Sequence, residues 1–364
     1  MEMTDLQITE KEDHYVVLKE DQYFRLGLSE GKVLTELQAG HSLEEISEQY
    51  DVSEAEIERF IESLEKLGVL GEKKEEKKNL LYYRIKLFDP DKYFQWVVDY
   101  VLKSNTINRM LITVVSVICL AGVALLVLHP NIIFTNMAFE ITAKNLLLLY
   151  VGTILTVFCH ELGHGLVCKY HGGKVREIGF LFICGSPALF CDVSGIREFN
   201  EKRKTLATLL AGVFVQLIIT AVAVIVSVNI NGANTLLNTF IGWNLLMMLS
   251  NLLPITKLDG YWIFSTLLNI PNLYDKSIKL ALGKKNNVLF NKYEESKAGL
   301  IKFYGIMNLS IMSVMIISMI LGISRINLES GNALSTGLSI FQGILGFAMI
   351  FYLFKMIVKV RREN

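Results

Sequence analysis

The stretch Leu146–Cys168, LLLLYVGTILTVFCHELGHGLVC, carries two histidines and a glutamate inside an otherwise apolar run. About 20 consecutive apolar residues cross a bilayer as a helix, so this stretch predicts a membrane span. Ionisable side chains at that depth are costly and mark functional positions. On a helix, His160 and His164 lie one turn apart on one face. With Glu161 on the neighbouring face, the pattern predicts a zinc hydrolase site.

A second stretch, Asn251–Trp262 (NLLPITKLDGYW), contains a candidate for a third metal ligand. Pro254 is expected to break its helix, and the apolar piece that follows to Ile270 is too short to cross alone. Broken backbone at membrane depth is tolerated only where protein buries it or where it lines a wet cavity. Asp259 in this break is therefore a candidate metal ligand. The alternatives are an interfacial aspartate before a turn glycine and, for the histidines, a polar cluster that only packs helices together.

The two stretches together resemble the site-2 protease family of intramembrane zinc metalloproteases, over roughly residues 145–270. The resemblance implies that His160, His164 and Asp259 bind Zn²⁺, that Glu161 is the catalytic base, and that Asn251 lies near the substrate. Three protein ligands would leave one zinc position open for water, as in catalytic sites.

Two further strings, KLDGYW at 257–262 and PALFCDVS at 187–194, resemble a bacterial subgroup of peptide zinc metalloproteases. Members of that subgroup often carry an N-terminal peptide-binding domain. The chain departs from the wider family at Val213, where many members have a helix-kinking proline. The loop at 129–145 is also too short for the PDZ domain of many bacterial members.

Composition separates the chain into unlike parts. The 364 residues are 52% hydrophobic with zero net charge, yet residues 1–78 hold 21 acidic against 10 basic side chains. The acidic start, 1–20, does not fit a cleavable signal peptide. Five cysteines, an odd number, do not fit a secreted disulfide framework. Cys184 and Cys191 are candidate ligands or, as we favour, small buried apolar residues.

Residues 1–71 predict a small α/β, winged-helix-like domain. A hairpin is expected over 15–26, followed by three amphipathic helices and a last strand near 67–70. Ser42 with Glu45, and Ser53 with Glu56, fit capping boxes. The third helix is acidic, which disfavours nucleic-acid binding.

The same segment resembles the peptide-binding domains of ribosomal-peptide maturation, of the pyrroloquinoline quinone peptide chaperone type. That resemblance rests on LGLSEG at 26–31, AGHSL at 39–43 and LEKLGVL at 64–70, together with the hairpin. It implies that a leader peptide adds as a strand to the hairpin edge. A purely structural cap is the alternative.

The remaining chain predicts a mostly α, polytopic membrane protein with about six transmembrane helices. Residues 72–105 are expected to form a charged linker and a juxtamembrane amphipathic segment, and 106–364 the transmembrane metalloprotease domain. The six spans are expected near 110–128, 146–168, 206–228, 236–253, 300–323 and 337–358. Lysines and arginines concentrate in loops 169–204 and 254–299, which predicts a multi-pass cell-membrane protein with both termini cytosolic.

Residues 172–195 predict a hairpin dipping into the membrane, whose edge strand holds substrate extended. Three hypotheses follow from these patterns. The first is a zinc protease that cleaves a membrane-associated or ribosomally synthesised, modified peptide selected by the N-terminal domain, beside a modifying enzyme or exporter. The second is a non-hydrolytic membrane subunit for peptide export or self-protection. The third is a regulatory protease acting on a membrane-tethered anti-sigma factor.

Overall fold

The computed structural model describes residues 6–11, 15–19, 22–50, 52–66, 69–70, 82–134, 142–183, 186–230, 235–255, 257–283, 292–324, 350 and 358. The chain forms two compact units, Met1–Ile241 and Gly242–Asn364. Over the described residues it is mostly helical, with two three-stranded antiparallel sheets. The predicted domain boundaries, after residues 71 and 105, do not coincide with this division and stay predictions.

The first part of the chain is a small sheet covered by three helices. Strands β1 (Leu6–Glu10), β2 (Tyr15–Lys19) and β3 (Gln22–Leu26) pair in sequence order, before α1 (Leu28–Ala39), α2 (Leu43–Tyr50) and α3 (Glu54–Lys66). Their apolar faces form two core clusters. Between the sheet and the helices the buried members are Leu6, Tyr15, Val17, Leu26, Leu34, Leu64, Val69 and Leu70, and among the helices they are Val33, Ile46 and Ile57. The predicted hairpin and the three helices are confirmed, whereas β1 was not predicted.

The helix starts follow local chemistry. The backbone N–H of Ser42 donates to the Glu45 carboxylate over 2.9 Å, and the Glu45 N–H donates to the Ser42 hydroxyl over 3.3 Å. The Ser53 N–H and hydroxyl donate to Glu56 over 3.2 and 2.9 Å. These bonds satisfy N–H groups that a helix start leaves without intrahelical partners. Val69 and Leu70 form a bend, and the rest of the predicted last strand, 67–68, lies outside the described residues.

A second sheet joins two distant parts of the chain. Strand β4 (Tyr82–Phe88) pairs with β5 (Ile178–Ile183), and β5 pairs with β6 (Ser186–Cys191). The predicted hairpin over 172–195 is thus present as β5 and β6, and β6 is an outer strand. The sequence predicts a charged linker and an amphipathic juxtamembrane segment over residues 72–105. The first described part of this range is instead a strand, β4. Its helical part is α4 (Asp91–Val97), which continues as a π-helix over Val98–Leu102.

Long apolar helices make up most of the remaining described chain. Among the described residues, four have the length and composition to cross a membrane: Asn105–Leu128 (α5), Ala143–Tyr170 (α7), Lys202–Asn229 (α8) and Ala298–Ser318 within α13 (Ala298–Ser324). The predicted span at 236–253 is the 18-residue helix α9 (Thr235–Leu252). The predicted span at 337–358 lies outside the described residues except for 350 and 358. Six spans therefore stay a prediction.

Short helices complete the fold: α6 (Asn131–Phe134), α10 (Asp259–Leu268), α11 (Leu273–Ala281) and α12 (Lys292–Ser296). In the second unit, α10, α11 and α13 share a core built around Tyr261, Leu273, Ile278 and Ile301. The Lys276 ammonium there contacts both carboxylate oxygens of Glu294 at 2.6 and 2.7 Å, with both side chains buried. Pairing of this kind offsets the cost of burying each charge.

Candidate metal centre

The two histidines of α7 face each other inside the first unit. Their Nε2 atoms are 3.0 Å apart, their ring centroids are 4.6 Å apart, and each residue is 5% exposed. Zinc binds imidazole nitrogen at about 2.0–2.1 Å, so two ligands of a tetrahedral ion lie about 3.3 Å apart. The observed separation is close to that value. The one-turn spacing on a continuous 28-residue helix brings the two nitrogens together.

A backbone carbonyl on the neighbouring helix fixes one of these rings. The Thr208 carbonyl of α8 lies 2.7 Å from His164 Nδ1, and both residues are buried. A carbonyl only accepts, so Nδ1 carries the proton and Nε2 keeps its lone pair for a metal. Such a second partner orients a metal-binding histidine and sets its tautomer.

The space around the rings is closed by a glycine of α8. A Cβ built on Gly212 would lie 2.4 Å from His164 Nε2, and 2.5 and 2.6 Å from His160 Cε1 and Nε2. Real side-chain carbons do not approach other atoms so closely, so only glycine leaves room for both rings here. Helix α8 runs unbroken from Lys202 to Asn229 past Val213, the position where many family members have proline. The nitrogen donors and the glycine cradle fit a zinc ion.

Glu161 lies on the neighbouring face of α7 and points toward the second sheet. Its Oε2 accepts a hydrogen bond of 2.9 Å from the backbone N–H of Cys191, the last residue of β6. The candidate base is therefore in direct contact with the end of an outer strand. The Cys191 thiol itself has a pKa raised well above its usual range by burial and by the nearby Glu161 charge. Cys191 is partly buried, and its role as a ligand or as a small apolar residue stays a prediction. Cys184 lies outside the described residues.

Arg84 of β4 holds the region where β6 ends. Its guanidinium lies 2.5 Å from Glu177 and 3.3 Å from Asp192, and over the Phe190 ring at 4.2 Å. Burial alone would raise the pKa of Asp192, but hydrogen bonds from Ser194 and the charge of Arg84 bring that pKa below its usual value. Asp192 is therefore a charged anchor of the hairpin.

The second unit contains the other two predicted site residues. Helix α9 ends at Leu252 and α10 begins at Asp259, so the predicted helix break around Pro254 is confirmed. Asn251 lies in the last turn of α9 and Asp259 in the first turn of α10, and both are partly buried. Their roles as substrate contact and third ligand stay predictions, as do the catalytic role of Glu161 and the ligand roles of His160 and His164.

Sequence reasoning missed three contributors to the site: the Thr208 carbonyl, the Gly212 cradle and the Cys191 amide. Two of these are backbone groups, which every residue carries, so no residue type marks them. Gly212 directly precedes Val213, the position at which the sequence departs from the wider family, and carries no other mark in the sequence. Small residues where membrane helices approach closely are a known signal, but they do not indicate what they adjoin.

Comparison with known proteins agrees with the chemistry of this site. The chain is 28% identical over 170 residues to zinc metalloprotease MJ0392 of Methanocaldococcus jannaschii, covering 46% of this chain and 45% of that protein. The chain thus spans about half the length of the curated relative it matches. No protein-family model matches the chain, and no solved structure matches it.

Proposed function

We propose that the protein is an intramembrane zinc metalloprotease of the site-2 protease type, with His160, His164 and Asp259 as the zinc ligands. The observation that carries the proposal is the pair of facing Nε2 atoms, 3.0 Å apart, with the His164 tautomer fixed by Thr208. The pair lies on α7, a helix long and apolar enough to cross a membrane. Ionisable residues at that depth mark functional positions, and one metal ion would bind both Nε2 atoms.

Asp259 is proposed as the third ligand because the helix break places a partly buried carboxylate at the start of the apolar helix α10. A zinc ion held by these three side chains would activate a water near neutral pH and polarise a carbonyl. Glu161 takes the proton from the attacking water and passes it to the leaving amine. Asn251, two turns before Asp259 along the chain, would donate its amide to the substrate backbone.

The outer strand β6 is proposed to hold the substrate. Among the described residues its strand partner is β5 alone, and we propose that its other edge accepts an added extended strand. The strand ends at Cys191, whose amide contacts the Glu161 carboxylate. A peptide paired along β6 would therefore run toward the candidate base. Proteases bind substrate backbone in this extended form, so the arrangement fits peptide hydrolysis.

The N-terminal segment is proposed to select a membrane-associated or ribosomally synthesised, modified peptide. The Lys11 ammonium, just after β1, donates to the Glu198 carbonyl over 2.5 Å and to the Asn200 side chain. Both acceptors follow β6 closely in the chain. The residue that follows β1 thus contacts the segment that follows β6, which supports handing a bound peptide from the first sheet to the candidate substrate strand. A modifying enzyme or exporter is the expected partner.

The exposed aromatic side chains near the first span support a cell-membrane location. Tyr93, Trp96 and Tyr100 are 70%, 60% and 68% exposed, on the side of α4 and its π-helix away from buried Phe94 and Val98. Amphipathic aromatic rings favour the headgroup region of a bilayer. We propose that this segment lies on the cytosolic leaflet of a multi-pass protein with both termini cytosolic.

The test compares the full-length protein with Glu161→Gln. The purified wild-type protein should contain one zinc and cleave its peptide, whereas Glu161→Gln should keep the metal and lose cleavage by several orders of magnitude. Glu201→Gln, at an exposed carboxylate paired with Lys204, is the matched control and should keep cleavage. Cleavage that survives Glu161→Gln contradicts the proposal and favours another base.

A phenotype unchanged by both Glu161→Gln and His160→Ala, but lost on deletion of residues 1–70, would favour a non-hydrolytic subunit. A single-span protein accumulating in cells that carry Glu161→Gln would favour the anti-sigma-factor substrate.

A further inference from the structure

The break between α9 and α10 is closed from a third helix by one hydroxyl group. The Tyr304 hydroxyl of α13 donates to the Pro254 carbonyl over 2.5 Å, across 50 residues of sequence. Tyr304 is 3% exposed, and its ring lies 5.5 Å from that of Phe264 on α10. The hydroxyl therefore reaches the middle of the turn that leads to Asp259.

The turn needs such a partner because proline interrupts the helical ladder. The Pro254 carbonyl lies beyond the end of α9 and has no place in a helical ladder, and a carbonyl shielded from water is costly without a partner. Pro254 is partly buried, so a side-chain donor satisfies this need. Tyr304 supplies that donor, and its hydrogen bond fixes the Pro254 carbonyl relative to α13.

The other side of the turn is fixed by close packing at Gly260. A Cβ there would lie 2.3 Å from the Leu252 carbonyl oxygen and 2.8 Å from the Leu253 carbonyl carbon. The first turn of α10 therefore rests against the last turn of α9. The N–H groups of Tyr261 and Trp262 both donate to the Leu258 carbonyl, at 3.1 and 3.4 Å. Asp259 lies between these fixed points, so its backbone has little freedom.

We infer that Tyr304 is a positioning residue for the Asp259 carboxylate, acting through the Pro254 carbonyl. The inference rests on the proposed function, in which Asp259 binds zinc. Loss of the hydroxyl would leave the Pro254 carbonyl to find another partner, and the turn would shift. Metal affinity depends on such outer contacts, whose loss typically costs about 10–100-fold. Because Tyr304 lies behind the ligand, its effect should be near the lower end of that range.

The experiment measures metal binding by the full-length protein in detergent, without any substrate. We expect Tyr304→Phe to weaken Zn²⁺ binding about tenfold and to change the visible absorption of the Co²⁺-substituted protein. Tyr293→Phe is the matched control, because the Tyr293 hydroxyl also donates to a backbone carbonyl, that of Leu268 at the far end of α10, over 2.9 Å. It should leave both readings unchanged. Tyr304→His, which keeps a ring N–H donor, should restore part of the affinity.

The outcomes distinguish a failure of the Tyr304 inference from a failure of the Asp259 ligand assignment. If Tyr304→Phe lowers only the thermal stability of the metal-free protein and leaves Zn²⁺ affinity and the Co²⁺ spectrum unchanged, Tyr304 is structural and the inference is wrong. If Asp259→Asn, measured alongside, binds Zn²⁺ as tightly as the wild type, the third-ligand assignment in the proposed function fails, and the inference fails with it. If Tyr304→Phe does not fold, Tyr304→His is decisive, and a wild-type affinity and spectrum in a variant with altered donor geometry would count against the inference.

Discussion

The helix pair α7–α8 and the N-terminal core are both well buried, but they bury different things. Between α7 and α8, two imidazoles, a carbonyl and a glycine meet with no space left for a methyl group. In the N-terminal core, aliphatic and aromatic side chains such as Val17 and Leu34 pack among themselves. Polar groups need fixed geometry, whereas apolar ones need only volume and exclusion from water. Substitutions should therefore weaken metal binding in the first region and lower the free energy of unfolding in the second.

The largest effect is expected for Gly212→Ala. The added methyl group would collide with both rings at 2.4–2.6 Å, so the histidines would have to separate. We predict that zinc content falls to a small fraction of the wild-type value while the helical circular dichroism signal is retained. Gly242→Ala is the matched control, because nothing lies within 4 Å of a Cβ at that helical position. Full zinc occupancy in Gly212→Ala would show that the cradle does not constrain the ligands.

The second-largest effect is a loss of stability in the N-terminal core. Leu34 is 0% exposed, so Leu34→Ala should cost about 2–5 kcal/mol of that region's stability through lost burial and a cavity. Hydrogen exchange in the full-length protein should show faster exchange over residues 28–66, with zinc content unchanged. Leu28→Ala, at a position 41% exposed, serves as the control. A parallel loss of zinc in Leu34→Ala would contradict the contrast between the two regions.

A smaller effect is expected where the second sheet meets the candidate base. Arg84→Met removes the ion pairs to Glu177 and Asp192 and keeps much of the side-chain volume. Arg84 is 42% exposed, so solvent weakens these pairs and the loss of stability should be small. We predict a several-fold fall in peptide cleavage with unchanged zinc content, because the end of β6 becomes less ordered. Equal losses of zinc and cleavage would instead indicate a disturbance of the histidines.

The smallest effect concerns the helix starts and their pH dependence. The Ser42 amide lowers the pKa of Glu45, and the bonds from Ser53 lower that of Glu56. A depressed pKa adds stability that is fully present above the unfolded value of about 4.3 and is lost as pH falls through the folded value. Hydrogen exchange over residues 43–66 should therefore change little from pH 8 to 5 and accelerate, relative to intrinsic rates, below about pH 4.

Ser42→Ala should cost about 1 kcal/mol at neutral pH and reduce that acid dependence. Ser47→Ala, on the same helix but outside the capping box, is the control. If the acid sensitivity of Ser42→Ala matched the wild type, the Ser42–Glu45 contact would not be its source.

Local patterns in the sequence were enough to predict several features that the structure contains. The spacing of His160 and His164, the break at Pro254, the capping boxes and the β2–β3 hairpin all depend on residues a few positions apart. Helical and strand periodicity bring such residues together wherever the element lies, so no tertiary information is needed. The same holds for the length and apolarity of the four candidate spans.

Only the tertiary structure decided which distant groups surround those features. The Thr208 carbonyl behind His164, the Cys191 amide on Glu161 and the Tyr304 hydroxyl on Pro254 act across 44, 30 and 50 residues. Strand β4, taken from composition as part of an amphipathic surface segment, finds its partner β5 far along the chain. Backbone carbonyls and amides are common to all residues, and a strand's partner is set by packing, so neither leaves a local mark in the sequence.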